Sequence, residues 1–353
     1  MNLPHNYDIL IVGQGLAGSL LAWVLLQYGY KVCVVSDGVK SASHIAAGMI
    51  NPVTGQRFVL AEHTPQHLKT AEEMYQQLGR RLHQQFYFPK TMLRIFNNEK
   101  ERLHCQKRLN NEHYTPYFKH AAMPAYIHAP FSGIQQTHTA YIDTANLLKH
   151  LATHLAQHHA IRHQHFSAKD VQIQEKGILW QGIFAQKIIF CEGYRMQHNP
   201  FFSWLPLQAA HGEIITCHSE KELPPHIINQ QQWLLPTDTH TCRIGATYEP
   251  QLQVPTIQTS SKAKLLHFAH QLFNQQPHFE VTQHQAGIRP NTLDKQPFIG
   301  FHPKHPQLGI FNGFGSRGCL LIPHYAQVLV QYMQQQQPLP KEVDIQRYKQ
   351  VCV

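Results

Sequence analysis

The chain has 353 residues, 42% of them hydrophobic and 14% charged, with a formal charge of +9 and a pI of about 9.1. That length exceeds one ordinary domain and predicts two intertwined lobes with ample core; no run of about eighteen apolar residues is present, which predicts neither a membrane span nor a signal peptide. The basic balance favours an anionic partner, but Lys and Arg are scattered without a dense run or interleaved aromatics, so nucleic-acid binding is permitted and not indicated.

Residues 8–12 are a short run of β-formers that stops at Gly13, Gly15 and Gly18, a GxGxxG. Residues 16–28 carry helical apolar spacing, Gly29 sits in a stop position, and residues 31–35 read as a second buried strand. A strand that turns at a glycine straight into a helix gathers backbone amides and the positive helix end, which suits a pyrophosphate. Gly13 allows the tight turn, Gly15 lets a phosphate approach the backbone, and Gly18 lets the helix pack on the sheet. In its strand–helix–strand context this fingerprint predicts dinucleotide binding. The second strand should end near an acid that holds the adenosine ribose: either Ser36 makes a weaker contact or Asp37 reaches the sugar, and Asp37 is preferred. With no Arg or Lys among residues 34–38, a 2′-phosphate is not expected.

Residues 41–58, SASHIAAGMINPVTGQRF, lack periodicity and are rich in small side chains, so they predict an ordered loop. Ala46, Ala47 and Gly48 offer the bare backbone that a flat ring system would require. Residues 65–85 read as a helix, and residues 86–142 as short strands and loops of a second lobe, including a strand from Met92 to Phe96. Asp143 or Thr144 should cap a helix through about His159. On it His150, His154 and His158 share one side, but no acid accompanies them and Leu147, Leu151 and Leu155 define the buried stripe, so a solvated face is expected and not a metal site. Strands follow at 171–173, 177–180 and 184–190, the last ending at Glu192-Gly193, a second backbone approach to a cofactor. Residues 205–250 read as a sheet, residues 262–274 as an amphipathic helix, and the QQQQPLP tail as a solvated linker. Near the end, GIFNGFGSRG runs from a strand into a helix from about Leu320, so Gly313, Gly315 and Gly318 repeat the opening logic. The seven cysteines are odd in number and without a CxxC pair, and are read as reduced core thiols of a cytosolic protein.

With both ends in hand, the chain resembles the D-amino acid oxidase and glycine oxidase family of FAD-dependent oxidoreductases. The resemblance rests on VGQGLAGSLLAWVL, AAGMINPVTG, IIFCEG, GATY, AGIRPNTLDKQPFIG and GFGSRG, in family order over nearly the whole chain. It implies an α/β fold: a Rossmann-like FAD-binding lobe interleaved with an α+β substrate lobe built on an antiparallel sheet. The expected division is 1–75, 143–203 and 283–353 for the FAD lobe, and 76–142 and 204–282 for the substrate lobe. It implies adenosine and pyrophosphate contacts from Gly13, Gly15, Gly18 and Asp37, and backbone contacts on the flavin side from Ala46, Ala47, Gly48, Met49 and Gly193, and from Gly313, Gly315, Ser316, Arg317 and Gly318. Arg289 of GIRP matches the position that holds a substrate carboxylate, for which a guanidinium supplies a planar fork. An ion pair of Arg289 with Asp294 or Glu213 is the structural alternative. Tyr248 or His211 is expected to line the amine side.

The chain departs from glycine oxidases in the closing turn, where Ser316 takes the place of an arginine and Arg317 follows. GFGSRG, the HGEI strand and RIGATY resemble the FAD domain of the bifunctional bacterial enzyme that modifies wobble uridine in tRNA. Lacking the methyltransferase part, this chain would be a stand-alone version or a relative with another substrate. For either substrate the implied chemistry is the same: a C–H bond beside an amine nitrogen gives hydride to flavin N5, and water hydrolyses the imine. The protein mainly orients the substrate, so no catalytic triad is needed. Oxygen or another acceptor would take the electrons, and the FAD is expected to be dissociable. A small-substrate oxidoreductase is the leading reading, a tRNA-modifying one the alternative, and a non-catalytic FAD-binding protein the third.

Overall fold

The opening strand, His5–Val12, is apolar on both sides because both of its faces are covered. Ile9 and Ile11 face a core shared with the helices, while Leu10 and Val12 face a second core with Phe190, Phe202 and Trp180. Such a continuous apolar run is the mark of a central parallel strand. In the computed structural model, which describes residues 5–351 except Ala121, Gln276 and Gln336, this strand lies between Val32–Ser36 and Ile183–Phe190, parallel to both. Ile161–His163 extends the sheet on one side. Leu308–Asn312 and Phe298–Phe301 extend it on the other, beside the hairpin Gln172–Gln174 and Gly177–Trp180. The helices Leu16–Gln27, Thr64–Leu82, Thr144–Gln157 and Gly318–Gln335 cover one face. Leu147, Leu151 and Leu155 are each 0% exposed there, as the stripe predicts. Asp143 caps their helix, its Oδ1 accepting from the Asn146 amide at 3.2 Å.

A second eight-stranded sheet is antiparallel except at one pair, between Ile227–Asn229 and Met92–Ile95. Its spine is the long pair Leu207–Ser219 and Phe279–Thr292. One strand, Phe279–Thr292, runs across residues 282 and 283, with a shift in its pairing register opposite Thr216 and Cys217. Period-two alternation splits this sheet cleanly. Ile215, Cys217 and Ile244 pack against the helix Thr259–Gln271, while Ile214, Trp233 and Leu235 pack toward Ala47 and Met49 of the first lobe and toward Tyr141. The two lobes therefore meet on the small-residue loop.

Two expectations are corrected. Residues 86–142 contain a helix, Glu99–Leu109, and not only strands and loops. Its signals were local: Asn98 accepts from the Glu101 amide at 2.9 Å, acids open the helix and Lys107 and Arg108 close it. Its few apolar positions hid it. The tail is only partly in solvent: Gln334, Gln337 and Pro338 are exposed as expected, but Leu339 is 5% exposed within the helical core, and beyond the tail Val343 and Ile345 are buried. Cys352, expected to be a core thiol, lies outside the described residues; the other six cysteines are free and buried.

Leu151 tests the packing of the first lobe. Leu151→Ala should lower unfolding stability by about 2–5 kcal/mol, measured by urea denaturation of the purified protein.

Candidate active site

A cavity of about 1030 Å³ opens between the two sheets. The opening turn shows what it is shaped for. A Cβ on Gly13 would stand 2.6 Å from the Cys191 carbonyl oxygen, and one on Gly18 would stand 2.0 Å from the Gly13 carbonyl oxygen. Both glycines are thus required by the protein's own packing. Gly15 is different: a Cβ there would meet only the Ser41 and Ser43 hydroxyls, at 3.4 and 3.5 Å, so protein contacts alone do not demand glycine. Gly15 faces the cavity at the start of Leu16–Gln27, a helix with no acid in its first turn. Room left at a bare helix N-terminus fits a pyrophosphate.

At the end of Val32–Ser36, Asp37 lines the cavity and accepts a 2.6 Å hydrogen bond from Arg195 Nη1. Burial pushes this carboxyl up, but the Arg195 bond and the Val39 amide outweigh it and leave it below the usual aspartate value. The absence of a cation among residues 34–38 therefore did not describe this site, because Arg195 arrives from the turn after Ile183–Phe190. Beside it, Glu192 is pushed up to about 7 by burial, against the opposing Asn199 hydrogen bond and Arg195 charge. Asn312 Nδ2 donates to the Gly193 carbonyl at 2.9 Å and ties this turn to the closing one.

The middle of the cavity is lined by Ala46, Ala47, Gly48 and Met49. Gly48 has φ +70°, and a Cβ on it would lie 1.9 Å from the Ile142 carbonyl oxygen. Arg243 holds the loop from the second sheet: its Nη2 and Nη1 donate to the Ile45 and Ala46 carbonyls at 2.6 and 2.7 Å. Arg243 is the arginine of RIGATY, and a basic residue inside the alternating strand Thr241–Gly245 is the local signal of this role. Gly193, Gly315, Ser316 and Gly318 also face the cavity. Gly18, Gly313 and Arg317 do not, and Gly313 is needed instead against the Thr292 methyl, 2.6 Å from where its Cβ would lie.

Arg289 projects into the cavity from Phe279–Thr292. Opposite it, Gly212 supplies the space: a Cβ there would be 2.3 Å from Arg289 Nη2. Nη2 donates to the Thr247 carbonyl at 3.2 Å. Burial pushes this guanidinium below the usual arginine value, opposed by the nearby Tyr248. Neither alternative partner pairs with it: Asp294 pairs with Arg347 at 2.8 Å, and Glu213 Oε2 lies 2.8 Å from His284 Nε2 and accepts from the Gln258 amide at 3.0 Å. Among the described residues, then, Arg289 has no ion pair. Tyr248 is 60% exposed and stands near Arg289 without lining the cavity. His211 is set apart by alternation, because Gly212 takes the cavity face of their strand. His211 is 0% exposed, and its Nε2 donates to the Thr256 carbonyl at 2.8 Å. Its ring is structural, which corrects its expected place beside the amine. Among the described residues no cluster of His, Cys, Asp or Glu has metal-holding geometry, and no helix is long and apolar enough to cross a membrane.

Residues 8–332 match the family model described as FAD dependent oxidoreductase, DAO. The chain belongs to this family. It is an FAD-dependent oxidoreductase, and the cradle around Gly15 fits that cofactor. In fold it is similar to glycine oxidase from Geobacillus kaustophilus, with TM-score 0.83 and 20% identity over 98% of both chains. It is also similar to iminodiacetate oxidase from Chelativorans sp. BNC1, with TM-score 0.79 and 16% identity over 97% and 98% of the two chains. A match in sequence is the tRNA 5-methylaminomethyl-2-thiouridine biosynthesis bifunctional protein MnmC of Legionella pneumophila, 22% identical over 92% of this chain. The chain spans 54% of that relative's length.

Three substitutions separate these roles. Gly18→Ala should unfold or strongly destabilise the apoprotein, whereas Gly15→Ala should leave apoprotein stability within about 1 kcal/mol and weaken FAD binding at least about tenfold, read by thermal unfolding and fluorescence titration. Glu192 has a raised folded pKa, so the folded state holds a proton that the unfolded chain releases. Its contribution is complete below about 4.5 and is lost as pH rises toward about 7. Glu192→Gln should flatten apoprotein stability over that window in pH-dependent denaturant titrations.

Proposed function

We propose that the protein oxidises a small amine or amino acid at the C–H bond beside nitrogen, with Arg289 docking the substrate carboxylate. The observation that carries this reading is a buried guanidinium in the cavity with no carboxylate partner among the described residues. A buried charge of this kind calls for an external anion. The planar fork suits a carboxylate, and Gly212 leaves room for it on the strand beneath. Tyr248, exposed near Arg289 and outside the cavity lining, would meet the substrate only from the solvent side. The names of the fold neighbours, glycine oxidase and iminodiacetate oxidase, support an amine carrying a carboxylate.

The rest of the cavity serves the cofactor in this proposal. Gly13, Gly15 and Gly18 form the pyrophosphate turn and Asp37 reaches the ribose. The backbone of Ala46, Ala47, Gly48, Met49, Gly193, Gly315, Ser316 and Gly318 borders the flavin, with Gly313 fixing the closing turn. The FAD lobe is drawn from the stretches 1–75, 143–203 and 283–353, with Phe279–Thr292 shared along its edge. Bound there, FAD supplies the electron acceptor for the C–H bond. The chain's own work is to orient the substrate on Arg289 and to hold the small-residue loop to the second sheet through Arg243. A cytoplasmic location agrees with the six free, buried cysteines.

A second reading, oxidation of a carboxymethylaminomethyl group on tRNA wobble uridine, is supported by the match to the Legionella protein across most of this chain. That substrate also carries an amine and a carboxylate. Anaerobic titration of the FAD-loaded protein with glycine, sarcosine, proline and D-alanine, then with the modified tRNA, separates the readings. Bleaching of the flavin by a free amino acid is the expected outcome, bleaching only by tRNA favours the second, and no bleaching by any of them sinks both. Arg289→Met should lower kcat/KM by about 100-fold or more while leaving FAD content unchanged.

A further inference from the structure

Outside the cavity, the residue after Ser316 turns into a different environment. Arg317 has its Nε buried without a hydrogen-bond partner, and among the described residues it joins no ion pair. Its charge bears on His67 and on Tyr325. His67 is 4% exposed, and neither of its ring nitrogens has a partner. The His67 ring lies 4.8 Å from that of His324 and 5.4 Å from that of Tyr325, centroid to centroid, with His63 at 6.3 Å. One turn before His67, the Thr64 hydroxyl is also buried without a partner. These side chains come from the beginnings of two long helices, Thr64–Leu82 and Gly318–Gln335, neither of which has an acid in its first turn.

A guanidinium offers five N–H donors, and a neutral imidazole offers one donor and one acceptor. Here Arg317 Nε and both His67 ring nitrogens are buried and unmet, which is costly. A water molecule could serve one nitrogen but could not compensate the charge of Arg317. An oxyanion does both, by accepting from the guanidinium and from an imidazole N–H where two helix N-termini favour negative charge. We propose that a small tetrahedral oxyanion of the phosphate or sulfate class binds between Arg317, His67 and His324. Because Ser316 faces the FAD cavity and Arg317 faces this site, the bound anion fixes the closing turn from behind.

The site also couples to pH. Burial, with the charges of His324, Arg317 and His63, pushes His67 down to about 3, so the ring is neutral when no anion is bound. An anion beside it favours the imidazolium, so any proton uptake on binding falls in the acid range just above that value. The charged and titratable groups facing His67 are His63 from its own helix and Arg317, His324 and Tyr325 from the other, with Glu342 acting on Tyr325 from the C-terminal segment.

The test uses protein saturated with FAD, so that the pyrophosphate cradle is filled, and inorganic phosphate titrated against chloride at constant ionic strength. The expected result is a saturable rise in Tm of about 2 °C at ten times the dissociation constant, reproduced by sulfate and lost in Arg317→Gln and His67→Phe. No saturable shift with phosphate or sulfate, a response to acetate alone, or an undiminished response in Arg317→Gln overturns the proposal. Should those variants fail to fold, crystals of the unaltered protein grown in phosphate decide it. Tetrahedral density within hydrogen-bonding reach of Arg317 and His67 supports the site, and a lone water there refutes it.

Discussion

Everything in the nucleotide-binding half depends on how closely the first helix is pressed onto the first strand. With no side chain on Gly18, the helix settles against the Gly13 carbonyl, where a single methyl group would lie 2.0 Å from the oxygen. That approach directs the start of Leu16–Gln27 toward the cavity and leaves its amide end beside the empty space over Gly15. The neighbouring turns at Gly193 and Gly315 face the same space from adjacent parallel strands, as expected where such strands end on one edge of a sheet.

The second lobe acts on the first through one buried cation. Arg243 spans the lobes with two donors on consecutive carbonyls, and burial makes that guanidinium hold its proton less readily than usual. With those donors occupied by the Ile45 and Ala46 carbonyls, the small-residue loop is fixed to the second sheet. Arg289, on the same face of the sheet, contrasts with it. Its single fold-derived bond goes to a carbonyl, so its charge is left facing the cavity. Two arginines of the same sheet thus serve opposite ends, one consumed by structure and the other left available to a ligand.

Much of this was legible before any coordinates. The opening strand, turn and helix declare themselves because every local signal agrees: β-formers, three glycines in GxGxxG spacing, helical apolar periodicity and a stop. The Leu147, Leu151 and Leu155 stripe was equally legible from period alone. The helix Glu99–Leu109 was missed because its stability rests on caps and charges and not on an apolar face. The tail was misjudged because its glutamines dominate its composition while Leu339, a single residue, anchors it.

What the sequence determined by itself was the set of contacts made between near neighbours in the chain, together with the family order of the motifs. What the tertiary structure decided were the pairings across distance. Arg195 reaches Asp37 over 158 residues, Arg243 reaches the loop over 197, and Asp294 and Glu213 are engaged elsewhere, which leaves Arg289 unpaired. Strand alternation then placed Gly212 toward the cavity and His211 away from it. Spacing in the chain fixes which face a residue shares with its neighbours, but only the packed sheets determine what each face meets.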